Sequence, residues 1–162
     1  MKMHSVASIA FAAAAVIATT GLTTTTASAC PDWTLDGRSN LGTLTGSFLF
    51  TPRSYTVQAG GNNNLAGCSA PGTGYVISDP DFEFNFTNDG NYGRLEFEVT
   101  GDCDTVLLIN DASGQWHFND DTNGVNPAIN VVNPPQGTYD IWVGTYGQSS
   151  CAASIEIETW SS

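Results

Sequence analysis

The residues best equipped for chemistry are four aspartates in two short clusters. Asp102 and Asp104 flank a cysteine, and Asp120 and Asp121 are adjacent, with Asn119, Asn123 and Asn126 close by. Carboxylates and amide oxygens are hard ligands, and several together suit Ca²⁺, which takes about six to eight oxygens. Nucleophilic chemistry has weaker support. A serine or cysteine hydrolase needs a base beside its nucleophile. Beyond residue 29 the sole histidine is His117, held in an alternating run between Trp116 and Phe118, where it reads as a surface or edge residue. Paired acids can hydrolyse glycosides, but Glu83, Glu96, Glu98, Glu156 and Glu158 fall on the polar phase of their runs, the usual solvated face. No glycine-rich loop follows a strand to open a phosphate-binding helix. The chain is expected to be a non-enzyme.

Strands must position these groups. Phe82, Phe84 and Phe86 alternate with polar residues, as do Leu95, Phe97 and Val99, and Ile155 and Ile157, while Tyr139, Ile141 and Val143 mark another strand. Period-2 alternation is the signature of a half-buried strand. Thr105–Asn110 reads as a central strand buried on both faces, and Gln115–Asn119 and Ala128–Val132 complete the set. Before them, shorter strands are expected near Ser47–Thr51, Tyr55–Gln58 and Tyr75–Ser78. Asn88-Asp89-Gly90, Ser113-Gly114, Asn123-Gly124 and Pro134-Pro135-Gln136-Gly137 are turn formers. Short strands at this spacing predict an all-β chain folded as an antiparallel, jelly-roll-like sandwich, with no convincing helix.

Chain direction then groups the loops. If Arg94–Thr100 runs up and each short connection reverses the chain, the loops Gly101–Asp104, Asp120–Pro127 and Gly147–Cys151 all fall at one end. That brings Cys103 beside Cys151 and leaves Cys30 for Cys68. It also gathers Asp102, Asp104, Asp120 and Asp121 with Asn119 and Asn126. Ca²⁺ is the expected ligand, and a solvated acidic rim without an ion is the alternative. The exposed-aromatic candidates are Trp142, out of phase with Tyr139, Ile141 and Val143, and Tyr146 beside the third loop. They could stack on a glycan or anchor a protein, or Trp142 could fill a second core face.

The stretch 79–159 resembles the bacterial pre-peptidase C-terminal domain, a small β-sandwich that follows the catalytic domains of secreted proteases. The matching residues are Asp79-Pro80-Asp81-Phe82, then Gly101-Asp102-x-Asp104-Thr105-x-Leu107-x-Ile109-x-Asp111, Ser113-Gly114, Asn119-Asp120-Asp121, Gly124 and Gly137-Thr138-Tyr139-x-Ile141-x-Val143. The resemblance implies a non-catalytic accessory role in adhesion or secretion. It also implies Ca²⁺ held by Asp102, Asp104, Asp120 and Asp121. Only residues 30–78 precede the match, and they are expected as an N-terminal extension packed on a single 30–162 domain.

Compartment follows from the first residues and the cysteines. Lys2 precedes a mostly apolar stretch from Val6 to Leu22, and Ala27-Ser28-Ala29 offers the small residues of a cleavage site, so 1–29 reads as a signal peptide. The apolar run is too short for a membrane span. Four cysteines, all beyond the signal, suggest two disulfides in an exported chain, extracellular or periplasmic. The alternative is a lipoprotein anchored through Cys30. Without the signal, three arginines face 16 acids, a balance of −13. A surface this acidic repels phosphate backbones, which excludes nucleic acid as a partner and leaves proteins and glycans.

Overall fold

The computed structural model describes residues 29–161; the expected signal peptide lies, but for Ala29, outside the described residues. Two sheets face each other. The first contains β1 (Ser39–Thr45), β3 (Asn63–Asn64), β4 (Tyr75–Val76), β5 (Phe82–Thr87), β7 (Thr105–Asn110), β8 (Trp116–Asn119) and β10 (Gly137–Thr145). The second is ordered β2 (Arg53–Ala59), β11 (Cys151–Trp160), β6 (Arg94–Gly101) and β9 (Ala128–Val132). β10 is the axis of the first sheet, pairing antiparallel with β5 on one side and β7 on the other.

Alternation explains the main core. Phe82, Phe84, Phe86, Tyr139, Ile141, Leu107 and Ile109 from the first sheet meet Leu95, Phe97, Val99, Ile155 and Ile157 from the second. Phe84 stacks on Tyr139 at 5.3 Å between ring centroids. The opposite face of the first sheet carries a second, smaller core. There Val106, Leu108 and Trp142 are covered by Leu65, Ala70 and Val76, with Trp116 and Phe118 beside them. This is why Thr105–Asn110 is buried on both faces.

Two local expectations are corrected. Ser47–Thr51 is not a strand: Gly46–Leu49 forms one helical turn, α1, capped by the Thr45 hydroxyl, which accepts from the Phe48 amide at 3.1 Å. The strand is β1, just before it, and it runs parallel to β5, so the sheet is not wholly antiparallel. Its register shifts between Asn40 and Thr43, where Gly42 takes φ +72, a conformation that disfavours a side chain. Residues 39–59 are woven into both sheets, since β1 pairs with β5 and β2 with β11.

Three connections arch from one sheet to the other at a single end: β6 to β7, β8 to β9, and β10 to β11. Backbone bonds join them, from Thr105 N to Val125 O, Tyr146 N to Asp104 O and Asp102 N to Ala152 O. Cys103 and Cys151 are bonded across this end, and Cys30 is bonded to Cys68.

Candidate functional site

At the arch end, the structure brings some of the expected ligands together and gives others different work. Asp104 lies within electrostatic reach of Asp121 and Asp120. Partial burial, then their two charges, raise its carboxyl above the usual range. The amides are occupied. Asn126 Oδ1 accepts from Gly101 N at 3.0 Å and Thr105 Oγ1 at 3.4 Å, and Asn119 Oδ1 accepts from Thr122 Oγ1 at 2.8 Å and Ala128 N at 3.1 Å. Two bonds fill the two lone pairs of an amide oxygen, so both side chains shape the arches. Asp102 and Asp121 are exposed. Among the described residues no three His, Cys, Asp or Glu stand close enough to hold a metal ion.

The aromatic pair separates. Trp142 is fully buried in the second core, and its Nε1 donates to Ser78 O at 3.2 Å. It therefore cannot stack on a ligand, because its phase opposite Tyr139 faces a second core. Tyr146 is exposed beside the arches.

At the opposite end, Asp111 organises a turn. Its Oδ1 accepts from Ser113 N, Ser113 Oγ and Gln115 N at 2.8, 2.6 and 3.0 Å, and its Oδ2 lies 2.8 Å from His117 Nε2. Burial works to raise this carboxyl, but the bonds from His117, Ser113 and Gln115 outweigh it and hold it below the ordinary range. Ser113 and His117 thus bind the same carboxylate. The hydroxyl proton points at Asp111 and not at the imidazole, so the nucleophile–base contact of a hydrolase is missing here. The glutamates of the second sheet stand in direct cross-strand pairs on its outer face, Glu156 opposite Glu98 and Glu158 opposite Glu96. Partial burial and then Glu156 and Glu96 raise Glu158.

Beside the Asp111 turn is a cleft of about 490 Å³, lined by Trp33, Asn110, Asp111, Ser113, Thr138 and Asp140 among others. Its floor is the outer face of the first sheet. Thr138, Asp140 and Trp142 share one phase of β10, and Asp140 pairs with Asn110 of β7 and Glu83 of β5. Asp140 is 4% exposed, and its Oδ1 is buried with no hydrogen-bond partner. Burial, reinforced by Glu83, pushes its carboxyl up to about 7. Trp33 forms one wall and is 56% exposed. It is held by a turn in which Asp32 accepts from Thr34 N at 2.9 Å and Leu35 N bonds Asp32 O at 3.2 Å. Asp32 N is in turn fixed to Ser78 O, and the Cys30–Cys68 bond lies just upstream.

Of Trp33, Asn110, Thr138 and Asp140, only Thr138 falls on a named residue of the 79–159 motifs, and none was singled out as a site residue. The available signal was an aspartate two residues before Trp142 on the same phase, a polar group inside a strand whose other face carries Tyr139, Ile141 and Val143.

No family model matches the sequence, and no curated protein matches it either. Among solved structures, the chain is similar to the pre-peptidase C-terminal domain of collagenase from Bacillus anthracis. The two are 11% identical, with 74% of this chain and 93% of that one covered at a TM-score of 0.45. It is also similar to PliG of Aeromonas hydrophila, a periplasmic inhibitor of g-type lysozyme, at 12% identity and a TM-score of 0.36, covering 75% and 99%. The family that the 79–159 motifs resemble is thus among the structural neighbours.

Proposed function

We propose that this chain is an exported, non-catalytic binding domain whose ligand site is the cleft between Trp33 and Asp140. The observation that carries this is Asp140 itself. A buried carboxyl oxygen without a donor is costly to leave, and the residue that carries it lines a cleft whose size falls within the roughly 300–1,000 Å³ of small-molecule sites. Two disulfides and a signal-like leader support export. Among the described residues no helix is long and apolar enough to cross a membrane. The Ser113–Asp111–His117 arrangement supports the absence of hydrolysis. A small-molecule fragment screen by crystal soaking should place bound fragments against Trp33 and Asp140. Fragments that settle only elsewhere would contradict the site, and ester, peptide or glycoside turnover abolished by His117→Ala would contradict the non-catalytic assignment.

Ca²⁺ at the arch end is a second proposal, favoured by the mutual influence of Asp104, Asp120 and Asp121. With Asn119 and Asn126 occupied, an ion would have to draw these three carboxylates closer than they stand. A role in adhesion or as an accessory to other secreted proteins fits either end.

A further inference from the structure

We infer that the Trp33–Asp140 cleft takes an uncharged sugar ring, free or at the end of a glycan, in preference to a cationic side chain. This rests on the cleft being the binding site, and it follows from which groups there remain unengaged. The domain is strongly acidic, so a cation is the first ligand to consider. Yet the carboxylates around the cleft are engaged. Asp111 accepts on both oxygens, and Glu83 accepts from Gly37 N at 3.2 Å through Oε2 and from Asn40 Nδ2 at 3.1 Å through Oε1.

What remains is the Asp140 carboxyl, the Asn110 amide and the Thr138 hydroxyl. The last two make no side-chain hydrogen bond within the described residues, although Asn110 is 4% exposed. An amide and a hydroxyl both donate and accept, and a carboxyl held near neutrality by burial does the same in its protonated form. Such a set answers a ligand whose own groups do both, as sugar hydroxyls do, whereas a guanidinium or ammonium only donates. The exposed indole of Trp33 supplies the remaining element, a flat apolar wall for the C–H face of a pyranose. Asp140 and Asn110 are register partners on adjacent central strands, so the polar floor is rigid and already formed.

The test is calorimetric titration of the full exported domain with methyl glycosides and β-linked oligosaccharides of glucose, galactose, mannose and N-acetylglucosamine, with N-acetylarginine amide as the cationic probe. At least one saccharide should bind, Trp33→Ala and Asp140→Ala should each weaken it tenfold or more, and Trp160→Ala should leave it unchanged. Trp33 is exposed, so Trp33→Ala should keep the parent's thermal midpoint and remain interpretable. Saccharide binding indifferent to Trp33→Ala overturns the assignment. Binding of the arginine amide in place of every saccharide overturns the sugar while leaving the cleft as a binding site. Binding of neither overturns both.

Discussion

The two ends of the sandwich differ in how their acids are held. The arch end has more carboxylates, but Asp102 and Asp121 are in solvent and the neighbouring amides are occupied by the turns. The cleft end has fewer, yet Asp140 is buried, unpartnered and set on a central strand. A cluster of like charges in water is screened and cheap to keep. A single carboxyl withdrawn from water is not. Burial, not acid count, marks the end where a ligand gains most.

The largest expected contrast is between two tryptophans. Trp142→Ala removes a fully buried side chain and should cost about 3–5 kcal/mol. Trp33→Ala should lie within about 0.5 kcal/mol of the parent, as exposed substitutions do. Denaturant melts of the two variants measure the difference, and equal losses would mean that Trp33 is a packing residue. Next in size is the covalent tie of the arch end. Replacing Cys103 and Cys151 by alanine opens a link spanning 48 residues and should cost about 2–4 kcal/mol in the same melts. The cleft should retain its ligand in that variant, and loss of binding would show that the two ends are coupled.

Buried acids give the third contrast, through pH. Asp81 is raised to about 7 by burial, against the Val143 N–H and Arg38, and Asp140 is raised to about 7 by burial and Glu83. The folded chain therefore holds more protons than the unfolded chain between about pH 4 and 7. Stability contributed by these groups is fully present below about pH 4 and is lost as pH rises to about 7. Asp111, held low by its hydrogen bonds, acts oppositely, and its contribution is lost only in stronger acid. Asp81→Asn should flatten the decline between about pH 4 and 7 in thermal melts; an unchanged slope would place the effect elsewhere.

The smallest expected effect belongs to the arch end. Extracellular calcium modules bind near 10⁻⁴–10⁻³ M, so a tenfold excess over the weaker limit adds about 1.4 kcal/mol. Ca²⁺ should then raise the thermal midpoint more than Mg²⁺ or sodium chloride at matched ionic strength. Asp120→Asn with Asp121→Asn should remove that excess, and equal shifts in all three salts would mean screening alone.

The fold was legible where local pattern and tertiary demand agree. The alternation at 82–86, 95–99 and 139–143 settles which face of each strand is inward, and strand direction alone brings the three arches to one end. β1 was hidden because Gly42 breaks the alternation of Ser39–Thr45, and a parallel partner leaves no hairpin signal. α1 is a single turn, too short for helical periodicity, with only the Thr45 cap to announce it. The cleft was less legible still. Its parts come from residues 33, 110, 138 and 140, and only the pairing of β7 with β10 brings Asn110 beside Asp140 and its strand neighbour Thr138.

The most direct test compares the two ends in one titration. The ¹⁵N-labelled domain, titrated with the saccharide that binds best, should show its largest amide and indole shifts at Trp33, Asn110, Thr138 and Asp140, with Asp102, Asp104, Asp120 and Asp121 unmoved. Shifts concentrated at Asp102–Asp104, Asp120–Asp121 and Tyr146, with the cleft silent, would contradict the account.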